Sequence, residues 1–170
     1  YENINVIKNR ENLGFAEGNN VGIRKALRND SDYIVLLNND TITDANLLIN
    51  LLASLEESPQ VGIVSPKIYF AKGFEFHKGR YKKSDLGRVI WYAGGKIDWD
   101  NILGSHKGVD EVDKRQYDQS SQTDFATGCC MAIRSEVFKK IELFDREYFL
   151  YLEDMDLCQR AKKAGFEILY

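Results

Sequence analysis

The order of apolar runs, helical stripes and turn residues predicts an α/β fold with a mostly parallel sheet flanked by helices. Two short runs, Tyr33 to Leu37 and Val61 to Val64, are apolar almost throughout, as strands buried on both faces are. Helical periodicity lies before each of them. Each run stops in turn chemistry, Asn38-Asn39-Asp40 after the first and Ser65-Pro66 after the second. Strands alternating with helices imply parallel pairing through right-handed crossovers.

Taken in order, Asn5-Val6-Ile7 is a short strand candidate, and a helix from Ala16 to Arg28 follows with Ile23 and Leu27 at helical spacing. Tyr33 to Leu37 reads as a central parallel strand. Thr43 or Asp44 is placed to cap the next helix, where Leu47, Leu48, Leu51, Leu52 and Leu55 form an apolar stripe and Pro59 marks the end. Residues 71–122 show no clear period apart from strand-like pieces at Val89–Tyr92 and Lys96–Trp99, so this stretch is expected to be functional or partly β-hairpin. Order returns at Phe125 with a strand through Gly128-Cys129-Cys130-Met131-Ala132-Ile133. Ser135 is expected to cap a short helix through Ile141. A last helix starts near Glu153 or Asp154 and runs to Ala164, with Gly165 as its left-handed terminator.

A chain of 170 residues with 44% hydrophobic and 29% charged residues fits one ordered domain. A net charge of −3 gives no basic footprint for nucleic acid, and the pairs Lys82-Lys83 and Lys162-Lys163 read as solvated patches. Three cysteines, two of them adjacent, suggest neither a disulfide framework nor a zinc site and point to a reducing, cytoplasmic setting. No apolar run is long enough to span a bilayer, so this piece carries no membrane segment, although a longer protein would be compatible with the inner face of a membrane.

Asn38-Asn39-Asp40 falls at the carboxyl end of a strand, where ligands bind in open α/β sheets. Period-two alternation would turn Asn38 and Asp40 to one side, and Asp40 offers the hard oxygen that Mg²⁺ or Mn²⁺ prefers. The same tripeptide also reads as a plain turn. Glu153, Asp154 and Asp156 open a helix, where carboxylates favour the dipole, and Asp156 with Arg160 forms an i,i+4 pair. The functional alternative is a general base, its pKa raised by burial against Tyr148, Phe149 and Tyr151. Asn12, Gly14, Phe15, Gly18 and Asn19 form a glycine- and asparagine-rich helix start that either brings backbone N–H groups to an anionic ligand or simply begins the helix. His77 and His106 read as surface residues, and Trp91, Tyr92 and Trp99 either stack on a sugar or pack inside.

Four stretches occur together and in order: Asn12 to Gly22 (NLGFAEGNNVG), Val35 to Thr41 (VLLNNDT), Thr127 to Arg134 (TGCCMAIR) and Leu143 to Asp156 (LFDREYFLYLEDMD). In this the chain resembles the inverting family 2 glycosyltransferases, in particular their rhamnosyltransferase-like branch. The resemblance implies a GT-A-type fold, Rossmann-like, with a nucleotide-binding half at 1–70 and an acceptor-binding half at 71–170. It implies a nucleotide-diphosphate sugar as donor, a glycan or lipid-linked acceptor, and Mg²⁺ or Mn²⁺ as cofactor. On the matching positions, Asp40 would hold the metal and Asn38 would lie by the ribose. Asn12, Gly14, Phe15, Gly18, Asn19, Asn39 and Gly128 would join the donor contacts. Of the catalytic pair Glu153 and Asp154, the second would be the base. Asn38 is an amide where the family carries an acid. The resemblance also implies that the piece is incomplete at both ends and binds donor weakly alone. A sugar nucleotidyltransferase and a non-catalytic sugar-binding domain are the alternatives.

Overall fold

A computed structural model describes residues 4–77 and 79–170. Among the described residues four helices, α1 (Gly14–Arg28), α2 (Leu47–Glu56), α3 (Ser135–Ile141) and α4 (Glu153–Lys163), accompany eight strands. The strands are β1 (Tyr33–Leu37), β2 (Val61–Val64), β3 (Ile68–Tyr69), β4 (Ile90–Tyr92), β5 (Gly95–Asp98), β6 (Leu103–His106), β7 (Cys130–Arg134) and β8 (Glu167–Leu169). The main sheet has the order β1-β7-β2-β8. β2 and β8 pair in parallel, while β7 runs antiparallel to both of its neighbours, so β1, β2 and β8 share one direction.

Strand alternation sorts the core into two layers. Ile34, Leu36, Ile63, Met131 and Ile133 face one cluster, which α1, α3 and α4 cover with Ala16, Ile23, Val137, Phe138, Leu157 and Ala161. Val61, Val64, Cys130 and Ala132 face the other way, beneath Leu51 and Leu55 of α2. Helices therefore pack on both faces of the sheet, as continuous apolar strands require.

Several expectations are corrected. Asn5-Val6-Ile7 forms no strand, and Val6 is 76% exposed. β1 is not central: among the described residues it pairs with β7 alone. An apolar run reports burial of the faces of a strand and carries no information about which strands flank it. The α2 stripe divides, with Leu51 and Leu55 buried and Leu48 and Leu52 exposed. Asp44 Oδ1 accepts from the Asn46 N–H ahead of α2, whereas Ser135 is already inside α3, and its hydroxyl donates to Ser31 O instead of capping the helix. α4 ends as expected: Gly165 has φ +92°, its N–H bonds Lys162 O, and Phe166 N–H bonds Ala161 O.

The irregular segment holds the β5–β6 hairpin and β4, which pairs with β3 just ahead of it. It is tied down by Lys67, which lies 2.9 Å from Asp113 and 2.7 Å from Asp118. Burial alone would raise the Asp113 carboxyl, but hydrogen bonds from Lys67 and Tyr69 bring it down to about 2. Among the described residues no helix is long and apolar enough to cross a membrane.

Candidate active site

Four segments converge where β1 ends. The Asn38 N–H donates to Cys129 O at 2.9 Å, one residue beyond the β1–β7 ladder, and so holds residues 127–129 beside the end of β1. The chain then turns at Asn39-Asp40, with the Thr41 hydroxyl donating to Asn38 O at 2.8 Å. Asn38 and Asp40 therefore do not alternate along a strand, because the strand has already stopped. The expected turn is present, and it leaves the Asp40 carboxylate exposed at the carboxyl edge of the sheet. Asp40 is near enough to Cys129 that its charge adds to burial in raising the Cys129 thiol.

Asp154 reaches the same place from the first turn of α4. Its Oδ2 accepts from the Gly128 N–H at 2.9 Å and its Oδ1 from the Met155 N–H at 2.8 Å. Burial pushes its carboxyl above the ordinary range, against the pull of those two amides and of His106. Gly128 has no space for a side chain: an added Cβ would lie 2.9 Å from Phe15 Cζ and 3.7 Å from Asp154 Oδ2. Phe15 and Asp154 thus both border Gly128. Glu153 turns inward, 5% exposed, and its Oε2 is buried with no hydrogen-bond partner among the described residues. Burial, and then the Asp154 charge, raise its pKa. Tyr151 and Leu152, just ahead, hold φ of +69° and +70°, a costly conformation for large side chains that recurs where function fixes the backbone.

The aromatic environment of Asp154 differs from expectation. Phe149 and Tyr151 stand 58% and 75% exposed, while Phe15 supplies the wall beside Gly128. At the start of α1, the Gly14 N–H is taken by Asn12 Oδ1 at 2.9 Å and the Phe15 N–H by Phe149 O at 2.8 Å. The first amide is closed within its own loop and the second holds a strap of the protein, residues 144–149, so both are already taken by the protein itself. Gly14 needs its φ of +73° and its missing Cβ for this approach, since a Cβ would sit 2.7 Å from Phe149 Cδ2. Asn19 Nδ2 donates to Phe15 O at 2.9 Å, whereas a Cβ on Gly18 would meet nothing within 4 Å.

Sequence reasoning missed two residues. Asn20, 2% exposed, donates through Nδ2 to Phe144 O at 2.8 Å and accepts from Phe144 N–H at 3.0 Å, fastening the strap to α1. Its neighbours in the motif drew attention to it, but nothing in the sequence pairs residue 20 with residue 144. His106 is not a surface residue. It is half-buried on β6 with Nδ1 3.1 Å from Trp91 O and its ring edge-on to Trp91 and Tyr92. Tyr92 is fully buried and Trp91 packs on the core, while Trp99 is 64% exposed on the hairpin. The Asp156–Arg160 pair, at 2.7 Å, is structural: Arg160 also binds Ile141 O and Leu143 O. Two clefts, of about 580 and 290 Å³, lie elsewhere, and neither is lined by Asp40 or Asp154.

No three His, Cys, Asp or Glu among the described residues gather as a metal cluster. Asp40 nevertheless suits a hard divalent cation that takes one protein carboxylate and completes its shell with water and substrate phosphate, as Mg²⁺ commonly does.

The family described as "Glycosyltransferase like family 2" matches residues 1–170. The chain belongs to that family. A hexosyltransferase of low-salt glycan biosynthesis, Agl10 of Haloferax volcanii, is 26% identical over 99% of this chain and 49% of its own length. Rhamnosyltransferase WbbL of Escherichia coli is 26% identical over 92% of this chain and 57% of its own. An N-acetylglucosaminyl-diphospho-decaprenol L-rhamnosyltransferase of Mycobacterium tuberculosis is 22% identical over the whole chain and 57% of its own. The chain thus spans about half the length of these curated relatives. The crystal structure of GalNAc-T7 with UDP, GalNAc and Mn²⁺ is similar at a TM-score of 0.65 with 16% identity, covering 96% of this chain and 30% of that one. That likeness bears out the GT-A fold.

Proposed function

We propose that this family 2 chain forms the catalytic centre of an inverting glycosyltransferase that takes sugar from a nucleoside-diphosphate donor and serves glycan synthesis. The observation that carries the reading is that the exposed Asp40 carboxylate, on the turn after β1, and the amide-held Asp154 carboxylate both border residues 127–129. One acid stands where a diphosphate would be held, and a second, partly desolvated acid stands one loop away.

Asp154 accepts the proton of an acceptor hydroxyl as that oxygen bonds to the anomeric carbon and the bond from this carbon to the diphosphate breaks. A single displacement of this kind inverts the anomeric centre. Its raised pKa makes Asp154 a stronger proton acceptor than an ordinary carboxylate, and the Gly128 and Met155 amides fix its orientation. Glu153, buried beside it, is the other member of the acidic pair that opens α4. Mg²⁺ or Mn²⁺ bound at Asp40 would stabilise negative charge on the leaving diphosphate. Asn38 and Asn39 flank the ribose side, and Asn12, Gly14, Phe15, Gly18, Asn19 and Gly128 border the donor. Residues 1–70 carry most donor contacts, and 71–170 carry the acceptor side with its exposed hairpin. The relatives named as rhamnosyl- and hexosyltransferases favour a deoxyhexose or hexose donor and a lipid-linked or glycan acceptor. The three free cysteines suit a reducing, cytoplasmic setting.

A thermal-shift panel of nucleotide sugars with Mn²⁺ or Mg²⁺ on the complete protein tests this. A matching donor at about 100 times its Kd should add about 2.7 kcal/mol of stability, and Asp40→Asn should remove the metal-dependent part. A complete protein that no nucleotide sugar stabilises with either metal would overturn the proposal.

A further inference from the structure

His106 lies outside every motif that marked the site, yet the fold packs its strand, β6, against the first turn of α4. Trp91 O can only accept, so Nδ1, 3.1 Å away, is the protonated nitrogen, and Nε2 is left as the nitrogen that gains or loses a proton. Three rings fix the imidazole plane: Trp91 at 4.4 Å and Tyr92 at 5.1 Å, both edge-on, and Phe125 tilted at 6.1 Å. β6 is pressed on α4, because a Cβ on Gly104 would fall 2.6 Å from the Sδ of Met155, the residue after Asp154. A half-buried imidazole whose ring is locked and whose Nε2 has no hydrogen bond among the described residues, on a strand packed against the turn that carries Asp154, is more than packing.

We propose that His106 is a positioning residue whose charge is coupled to Asp154, so that the pair decides when this carboxyl is free to take a proton from the acceptor. The inference rests on the reading of Asp154 as the base. Direction supports the geometry: burial lowers the His106 pKa while Asp154 raises it, and His106 in turn favours the ionised Asp154. The other titratable groups around Asp154 are Glu153 and Cys158 on α4 and Tyr92 on β4. Burial pushes the Cys158 thiol up to about 12 and the Tyr92 phenol higher still, so both stay neutral through the working range. That leaves Glu153 and His106 to titrate with Asp154, and only His106 brings positive charge. The macroscopic pH profile therefore belongs to the group of three rather than to one carboxyl.

The test has two arms. In the first, histidine NMR follows His106 and, as an internal reference, the half-exposed His77, which faces Asp110. Asp154→Asn should lower the His106 midpoint by about half a unit or more and leave His77 unmoved. An unmoved His106 overturns the coupling, whatever the protein catalyses. In the second arm, kcat/KM is measured against pH in the complete protein with His106→Asn, which retains a donor for Trp91 O and removes the charge. The acid limb should move to higher pH, giving about threefold lower kcat/KM on that limb and little change on the alkaline plateau. A profile that only scales down uniformly overturns the functional coupling and leaves a packing role. A coupled His106 in a protein whose transfer survives Asp154→Asn would instead fault the assignment of the base.

Discussion

At the scale of single residues, the site depends on how few partners its carboxylates have. Asp154 is held by two backbone amides and partly desolvated, whereas Glu153 beside it has a buried oxygen with no partner among the described residues. An acid whose folded-state pKa is raised binds its proton more tightly when folded, so its contribution to stability is fully present below the ordinary carboxylate range. That contribution is lost as pH rises through the folded-state value. Glu153→Gln carries no such proton. The melting temperature of the variant relative to the parent should therefore climb as pH rises from the ordinary carboxylate range through the raised value, and then level off. A difference that stays flat across that window would mean Glu153 has a partner when folded. The sequence showed Glu153 and Asp154 as an adjacent acidic pair at a helix start, and that was correct. Which of the two faces inward is decided by Phe15 and Gly128, more than a hundred residues earlier in one case, and so was not legible from the pair itself.

At the scale of elements, α1 acts as a fastener for the strap that leads into α4. Phe15 binds Phe149 and Asn20 binds Phe144, Gly14 leaves room for Phe149 to approach, and the left-handed Tyr151 and Leu152 then set the start of α4. Asn20→Ala would leave both the N–H and the carbonyl of Phe144 unpaired in a buried place. The expected loss is about 2–4 kcal/mol, read by chemical denaturation, with faster hydrogen exchange across 144–152. Unchanged stability would show that water replaces both bonds. The helices were largely readable, since Ile23, Leu51, Leu55, Leu157 and Ala161 repeat at helical spacing and Gly165 ends α4 by its φ of +92°. The strand at Asn5–Ile7 and the central place given to β1 were not, because pairing depends on remote partners. β7 enters between β1 and β2 only after about sixty intervening residues that have no period of their own.

For the molecule as a whole, the sheet, its two helical layers and the β5–β6 hairpin bring into one place residues that are scattered along the sequence: Phe15, Asp40, His106, Gly128 and Asp154. Ordered motifs made four of these visible. His106 stayed hidden because it sits in a segment where local chemistry gives no period, and only the packing of Gly104 on Met155 reveals where it belongs. The central claim is that this family 2 fold transfers sugar with Asp154 as the base. Its most direct test is single-turnover transfer by the complete protein with Asp154→Asn, alongside donor binding by the same variant. The account predicts that donor binding persists while the transfer rate falls about 100- to 10,000-fold, the range a general base supplies. Transfer within a few-fold of the parent enzyme would contradict it.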